Sequence, residues 1–112
     1  MLLFKPELIP LILSGKKTQT RRTWSRPCVR VGSVHQVKTR LFGEAHCRVR
    51  ITGLRRERLG DISEEDARAE GCSSREEFIR LWRSIRGSWE EDRAVWVVTF
   101  EVIDGVEEGG RR

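Results

Sequence analysis

The segment from Ala94 to Ile103 restricts the fold of this chain more than any other feature. It carries an almost continuous apolar run, made up of Val95, Trp96, Val97, Val98, Phe100 and Val102. Apolar runs of this length without polar alternation are typical of strands that are covered on both faces. The chain must therefore form a sheet with packing on two sides, and this segment is predicted to be a central strand of it.

The remaining elements complete a mixed fold. Strands are predicted at residues 1–4, 18–23, 32–40 and 45–52, the last because Cys47, Val49 and Ile51 alternate with His46, Arg48 and Arg50. Helices are predicted at residues 6–15, 63–71 and 74–87, each with a proline or capping serine at its start and a glycine at its end. The third helix carries an apolar stripe that we expect to pack in the core: Phe78, Ile79, Trp82 and Ile85. This order predicts an α+β fold, a small mixed β-barrel with helices packed at its openings.

The size of the chain predicts one domain. Residues 1–104 are expected to form it, and the Gly- and charge-rich residues 105–112 are expected to form a flexible tail. The apolar stretch from Leu8 to Leu13 is interrupted by Pro10 and is too short to cross a bilayer, and no signal peptide precedes it. We therefore expect a cytoplasmic protein, with a monomer as the default state.

The cysteines and histidines give no sign of a metal or disulfide site. Cys28, Cys47 and Cys72 are odd in number, widely spaced and without a C-x-x-C pair, and both histidines, His35 and His46, are isolated. We expect buried, reduced thiols, no metal and no cofactor.

Charge is distributed unevenly along the chain. Between Glu7 and Glu44 there is no acidic residue, whereas eight basic residues fall there: Lys16, Lys17, Arg21, Arg22, Arg26, Arg30, Lys38 and Arg40. With a net charge of +5, this pattern favours a phosphate-bearing partner such as RNA or a nucleotide. The arginine-rich surface of a thermophilic protein gives the same balance without any partner, so that alternative stays open.

The sequence from Gly15 to Arg22, G-K-K-T-Q-T-R-R, is the most distinctive part of this basic stretch. It follows the first predicted helix and combines four cations with two hydroxyls. The residues predicted to bind a nucleic acid or small ligand are Lys16, Lys17, Thr18, Arg21, Arg22, Trp24, Lys38 and Arg40. Arg22 suits a bidentate phosphate or base contact, and Trp24 can either stack on a base or pack in the core.

The motif resembles the ASCH domain, a family with a PUA-like β-barrel fold. The resemblance rests on residues 12–22, on W-V-V-T-F-E at residues 96–101 and on the intervening helix pair with D-A-R-A-E-G at residues 66–71. It implies a cleft lined by the G-x-K-T-x-T-x-R segment and roofed by the helix pair. Family members are inferred to bind RNA or modified nucleosides, some small ones are N4-acetylcytidine amidohydrolases, and another is a single-strand ribonuclease.

The resemblance also implies candidate catalytic residues. The amidohydrolase members use a lysine, a threonine and a glutamate, which by motif position correspond to Lys17, Thr20 and Glu70. In such a scheme Lys17 takes the Thr20 proton, Thr20 attacks an amide carbonyl, and Glu70 passes the proton to the leaving amine. Arg21 or Arg22 or a backbone N–H would hold the developing oxyanion. Arg21 stands where those members are apolar, which shifts the expected ligand toward a phosphorylated or polymeric one.

Each of these residues also has a simpler interpretation. Lys17 can bind phosphate as a point charge, Thr20 can be an ordinary strand residue, and Glu70 can form a salt bridge with a cation of the motif. Lys17 and Thr20 are three apart, so on a regular strand they would face opposite sides and could meet only across a bend or bulge. We expect RNA or nucleoside recognition, with hydrolysis as the alternative and a protein-interaction module as a third possibility.

Overall fold

The structure, a computed structural model, describes residues 1–105. Its five strands are β1 (Leu2–Leu3), β2 (Gln19–Arg22), β3 (Val34–Lys38), β4 (Cys47–Arg58) and β5 (Ala94–Gly105). Its α-helices are α1 (Ile9–Leu13), α2 (Glu64–Ala69) and α3 (Arg75–Arg86), with single 3-10 turns at Pro6–Leu8 and Leu59–Asp61. The predicted tail lies outside the described residues except for Gly105, which is the last residue of β5 and so belongs to the sheet.

The strands form one curled sheet in the order β1-β3-β4-β5-β2. β1 runs parallel to β3, and the other neighbours are antiparallel. This is the half-barrel of an α+β fold, and it confirms the predicted fold class. β1 and β2 are the two edges of the sheet.

Strand β5 is an interior strand with both faces covered, as its apolar run predicts. Val98 and Phe100 pack into one core cluster, which is formed with Leu2, Phe4, Ile9, Ile12, Val29, Val37, Cys47, Val49 and Ile51. Val95 and Val97 pack into a second cluster with Leu59, Ile62, Ala67, Cys72, Phe78 and Trp82. The first cluster fills the curled sheet and the second joins it to the helix pair, so β5 links the two.

Capping serines begin both helices of the pair. The Ser63 hydroxyl accepts a hydrogen bond from the backbone N–H of Asp66 at 3.0 Å, and the Ser74 hydroxyl accepts one from the N–H of Glu77 at 3.1 Å. Gly87 ends α3 with a φ of +88°, a backbone region in which glycine meets no steric penalty. The helix pair therefore forms within residues 63–71 and 74–87, where the sequence predicts it.

Strand β4 extends beyond the strand predicted at residues 45–52. Its second half is polar, so the sequence pattern does not indicate it. It continues from Ile51 to Arg58 through a register shift at Gly53, where an added Cβ would lie 3.3 Å from the Cβ of Thr99. Residues 55–58 read Arg-Arg-Glu-Arg and lack the alternation that indicates a strand. The conformation of this segment is determined by its pairing with β5 and not by its own sequence.

Two of the three cysteines are buried, and the third is not. Burial raises the pKa of the Cys47 and Cys72 thiols to about 11, so both stay protonated near neutral pH. Cys28 is exposed, which corrects the expectation that all three thiols are buried. Within residues 1–105, none of the helices is long and apolar enough to cross a membrane.

Candidate functional site

A cavity of about 410 Å³ opens between β2, helix α3 and the N-terminal segment. Its lining includes apolar side chains, among them Phe4, Leu8, Phe78, Leu81, Trp82 and Ile85. It also includes polar side chains, among them Lys17, Thr20, Arg21, Arg22, Thr39 and Glu70. The cavity can therefore hold a ligand that has both flat apolar faces and polar edges.

Lys17 lies at the base of this cavity, with only 2% of its surface exposed. Its Nζ donates three hydrogen bonds: to the Gln19 carbonyl at 2.8 Å, to the Glu70 carbonyl at 3.0 Å and to Glu70 Oε1 at 2.9 Å. An ammonium group has three protons, so all of them are used. Lys17 is held as a charged donor to Glu70.

Two local features bring Lys17 to the end of α2. The backbone N–H of Thr18 donates to the Ala69 carbonyl at 2.7 Å, which ties the two segments together. Gly71 has a φ of +99°, and a Cβ there would lie 3.3 Å from the Cβ of Lys17. A glycine at this position therefore permits both the turn after α2 and the close approach of Lys17.

Arg21 joins the same network from the opposite face of β2. Its Nη1 donates to Glu70 Oε2 at 2.9 Å, and its Nη2 donates to Glu57 at 2.8 Å and Asp66 at 3.1 Å. Burial lowers the pKa of Arg21, but the charges and hydrogen bonds of Glu70 and Glu57 outweigh it and raise the pKa overall. Its side chain is 0% exposed. Arg21 also lines the cavity, and its guanidinium is bound to carboxylates of the protein itself, so its contact with a ligand or an oxyanion stays a prediction.

Thr20 lines the same cavity as the Lys17–Glu70 pair. It is the second residue of β2 and pairs with Val98 of β5, and its Oγ1 accepts a hydrogen bond from Arg22 Nε at 3.1 Å. Strand β2 begins at Gln19, so Lys17 precedes it. The direction of the Lys17 side chain is therefore not determined by the alternation of side chains along the strand. The structure thus brings Lys17, Thr20 and Glu70 to one cavity, with the required bend located before the strand.

Arg22 lies at the cavity mouth and spans the gap between the two edge strands. Its Nη2 donates to the Leu3 carbonyl at 2.9 Å, and its guanidinium lies 4.7 Å from the centroid of the Phe4 ring. The pKa of Arg22 is lowered to about 10, chiefly by burial; the charge of Glu70 acts to raise it and the charge of Arg86 acts to lower it. Arg22 is thus a half-buried cation that another cation faces.

The other predicted binding residues lie outside the cavity. Lys16 and Arg40 are exposed, Lys38 is in β3, and Trp24 packs against the first core cluster. Thr18 lines a separate hollow of about 270 Å³ beside Gly15. These residues can contact only a ligand that extends beyond the main cavity.

Several residues of the site were not predicted as functional. Phe78, Trp82 and Ile85 were expected to be core residues; the first two are buried, yet all three line the cavity. Arg86 also lines it and lies 5.4 Å from the Trp82 ring, one helical turn away, a spacing that could have identified it. Within residues 1–105, no group of three or more His, Cys, Asp or Glu side chains is placed to hold a metal ion.

Asp66 should make stability depend on pH. Burial raises its pKa, but hydrogen bonds and charges from Arg55 and Arg21 outweigh this and lower the pKa below its ordinary value of 3.8. Because the pKa of Asp66 is lower in the folded than in the unfolded state, its carboxylate stabilises the fold at pH values above 3.8. This stabilisation is lost as the pH falls through the pKa of the folded state. We expect Asp66→Asn to lower the free energy of unfolding by about 1 kcal/mol at pH 7 and to reduce its decline below pH 4.

Urea denaturation at pH 7, 4 and 3 measures this effect. Asp61→Asn is the matched control, because Asp61 is 60% exposed and pairs with Arg58 on the surface. An equal pH dependence in wild type and Asp66→Asn would contradict the assignment.

Comparison with known proteins identifies the family. A family model of the ASCH domain matches residues 2–104. The chain belongs to the ASCH domain family. No curated protein sequence gave a significant match.

Solved structures share the fold of this ASCH domain. Protein EF3133 from Enterococcus faecalis V583 is 19% identical and has a TM-score of 0.68, over 100% of this chain and 88% of that one. The ASCH domain from Lactobacillus crispatus JV V101 is 24% identical, with a TM-score of 0.65 over 88% and 71% of the chains. A mutant form of the ZmASCH protein from Zymomonas mobilis is 14% identical, with a TM-score of 0.66 over 95% and 70%. These likenesses establish the PUA-like fold and leave the ligand to be argued from the site.

Proposed function

We propose that this ASCH domain binds a nucleoside unit, either free or as part of RNA, with its base inside the main cavity. The observation that carries this proposal is the mixed lining of the cavity, which combines aromatic and aliphatic side chains with polar ones. Bases present flat faces that stack on aromatic rings and edges that form hydrogen bonds. The volume of about 410 Å³ is within the range of small-molecule sites, about 300–1,000 Å³.

Some of the surface arginines are paired with acids of the protein. Arg48 pairs with Asp104, and Arg58 pairs with Asp61 and Asp92. Paired cations attract a polyanion weakly, so these two arginines add little to binding along the surface.

Blocking the cavity mouth tests this proposal. Ile85 is 42% exposed on α3 and lines the cavity, so Ile85→Trp should place a larger ring in the opening without disturbing the core. We expect saturable binding of cytidine, uridine or N4-acetylcytidine by wild type in isothermal titration calorimetry, and binding weakened by about tenfold or more in the variant.

Arg80→Trp is the matched control, because Arg80 is exposed on the same helix and does not line the cavity. Equal affinities in wild type and both variants would place the ligand elsewhere. Absence of any nucleoside binding by wild type would overturn the proposal.

Hydrolysis of an acylated cytidine is a second candidate function, favoured by the position of the Thr20 hydroxyl. Its oxygen accepts from Arg22, so its own proton remains free to be donated inside the cavity that contains Lys17 and Glu70. Nucleophilic catalysis requires a base within hydrogen-bond reach of this hydroxyl, so Lys17, which lines the same cavity, would have to approach Thr20 when the substrate binds.

The contacts of Lys17 define how the proton would have to move. At rest Lys17 is an ammonium donor and has no lone pair for the Thr20 proton. A proton must first pass from Lys17 to Glu70 along their 2.9 Å hydrogen bond. The neutral amine then takes the Thr20 proton as Oγ1 bonds to the acyl carbon, and Glu70 gives its proton to the departing amine as the C–N bond breaks. Water hydrolyses the resulting acyl ester, which releases the acid and restores Thr20.

Product analysis tests the second candidate. Purified protein is incubated with N4-acetylcytidine, and cytidine and acetate are separated by chromatography. Equal amounts of the two products, formed in proportion to enzyme, are expected. Unchanged substrate together with measurable binding would leave recognition as the function and exclude this hydrolysis.

A further inference from the structure

We propose that Arg22 and Arg86 form a phosphate site at the cavity mouth, so that the ligand is a nucleotide or a nucleotide unit of RNA. The inference rests on the proposed function and specifies its ligand class. It assigns to Arg86, in the last turn of α3, a binding role beside a base held deeper in the cavity.

The two guanidinium groups approach the mouth from different elements. Arg22 comes from the edge strand β2 and Arg86 from α3, and both line the cavity. Arg22 uses Nε and Nη2 for Thr20 and Leu3, which leaves Nη1 for a ligand. Arg86 lies against the Trp82 ring, a contact that orients a guanidinium while leaving its N–H groups available.

Neither arginine forms a salt bridge within residues 1–105. Arg21, Arg48, Arg55 and Arg58 contact carboxylates. Exposed arginines such as Arg80 and Arg83 also have no salt bridge among the described residues, but they do not line the cavity. Two cations that face one opening without a direct counter-ion repel each other, and the effect of Arg86 on the pKa of Arg22 reflects that repulsion. A bound phosphate would remove the repulsion and would compensate for the partial burial of Arg22.

The remaining charges around the cavity also favour an anion. Lys5 lines it as a further cation, and Glu7 and Glu70 are the acids among the lining residues. Glu70 already accepts hydrogen bonds from Lys17 and Arg21. Of the two lining acids, Glu7 alone is then left to balance the charges of three cations, Lys5, Arg22 and Arg86. Guanidinium groups bind phosphate oxygens through paired N–H donors, so this balance suits a phosphate ester.

Calorimetric titration with matched ligands tests the site. The probes are N4-acetylcytidine, its 5′-monophosphate and a cytidine dinucleotide, each at low and high salt. We expect the monophosphate to bind about tenfold more tightly than the nucleoside at low salt, with the difference shrinking as salt rises. Arg86→Gln should remove most of this difference between monophosphate and nucleoside.

Arg83→Gln is the control, because Arg83 is an exposed arginine of the same helical turn that does not line the cavity. The substitution removes the same charge as Arg86→Gln. Equal losses in both variants would indicate a general charge effect and overturn the site. The monophosphate carries a terminal phosphate monoester, and the dinucleotide carries the phosphodiester of RNA. Whichever of the two binds more tightly identifies the kind of phosphate that the site takes.

The outcomes separate this inference from the proposed function. Equal affinity for nucleoside and monophosphate, unaffected by Arg86→Gln, would overturn the phosphate site and leave base binding intact. Failure of the nucleoside to bind, with monophosphate binding that depends on Arg86, would overturn base binding and leave the phosphate site. Failure of every probe would overturn both.

Discussion

Replacing Glu70 by glutamine should lower the free energy of unfolding by about 3 kcal/mol. Glu70 is 4% exposed and receives hydrogen bonds from two buried cations, Lys17 on Oε1 and Arg21 on Oε2. A glutamine has one carbonyl oxygen, so its NH₂ group would face one of these donors. Lys17 would then be left with a buried charge and no direct counter-ion. Urea denaturation at pH 7 measures the loss.

Glu91→Gln is the comparison that isolates the effect of burial. Glu91 pairs with Arg58 at 3.6 Å, and both side chains are largely solvent-accessible. The same substitution there should change the free energy of unfolding by less than about 1 kcal/mol. If both variants were equally stable, Glu70 would not be acting as the counter-ion of the buried network.

Replacing Thr20 by valine should abolish turnover of N4-acetylcytidine if the cavity catalyses its hydrolysis. Valine matches threonine in shape and suits a strand, so β2 should keep its pairing with β5. The substitution removes the attacking oxygen, and we expect a loss of turnover on the order of 10³-fold or more. Substrate affinity should change by only a few-fold, because the walls of the cavity are unaltered. Initial rates and calorimetry on the same samples separate the two effects.

Thr39→Val provides a matched control, since Thr39 also lines the cavity with a hydroxyl but belongs to no part of the proton path. Its turnover should stay within a few-fold of wild type. Turnover that survives in Thr20→Val would exclude threonine as the nucleophile. A water molecule activated by Glu70 would then be the remaining route to hydrolysis.

Much of the fold could be predicted from local pattern. The apolar run around Val98 identified an interior strand, and the Ser63 and Ser74 caps identified the helix pair. Each of these signals is short-range, because periodicity and capping depend on residues within a few positions. The polar half of β4 could not be predicted in this way, since its conformation depends on pairing with β5 across the sheet.

The candidate site was only partly predictable for a related reason. The motif resemblance selected Lys17, Thr20 and Glu70, and the structure places them around one cavity. It could not indicate the orientation of Arg21, whose carboxylate partners Glu57 and Glu70 are 36 and 49 residues away. Adjacent residues on β2 face opposite sides, so Arg21 and Arg22 have different roles despite identical chemistry. Both line the cavity, but of the two Arg21 is the one held by carboxylates of the protein.

The pairing of β2 also has a consequence for how the chain is made. Its neighbour in the sheet is β5, with Gln19 opposite Thr99 and Arg22 opposite Trp96. Proteins are synthesised from the N-terminus, so β2 emerges from the ribosome early and has no partner until residues 96–99 follow. Contacts so distant in sequence form slowly. The ligand cavity is therefore among the last features of this domain to assemble, and a nascent chain can bind nothing there until residues 96–99 have emerged.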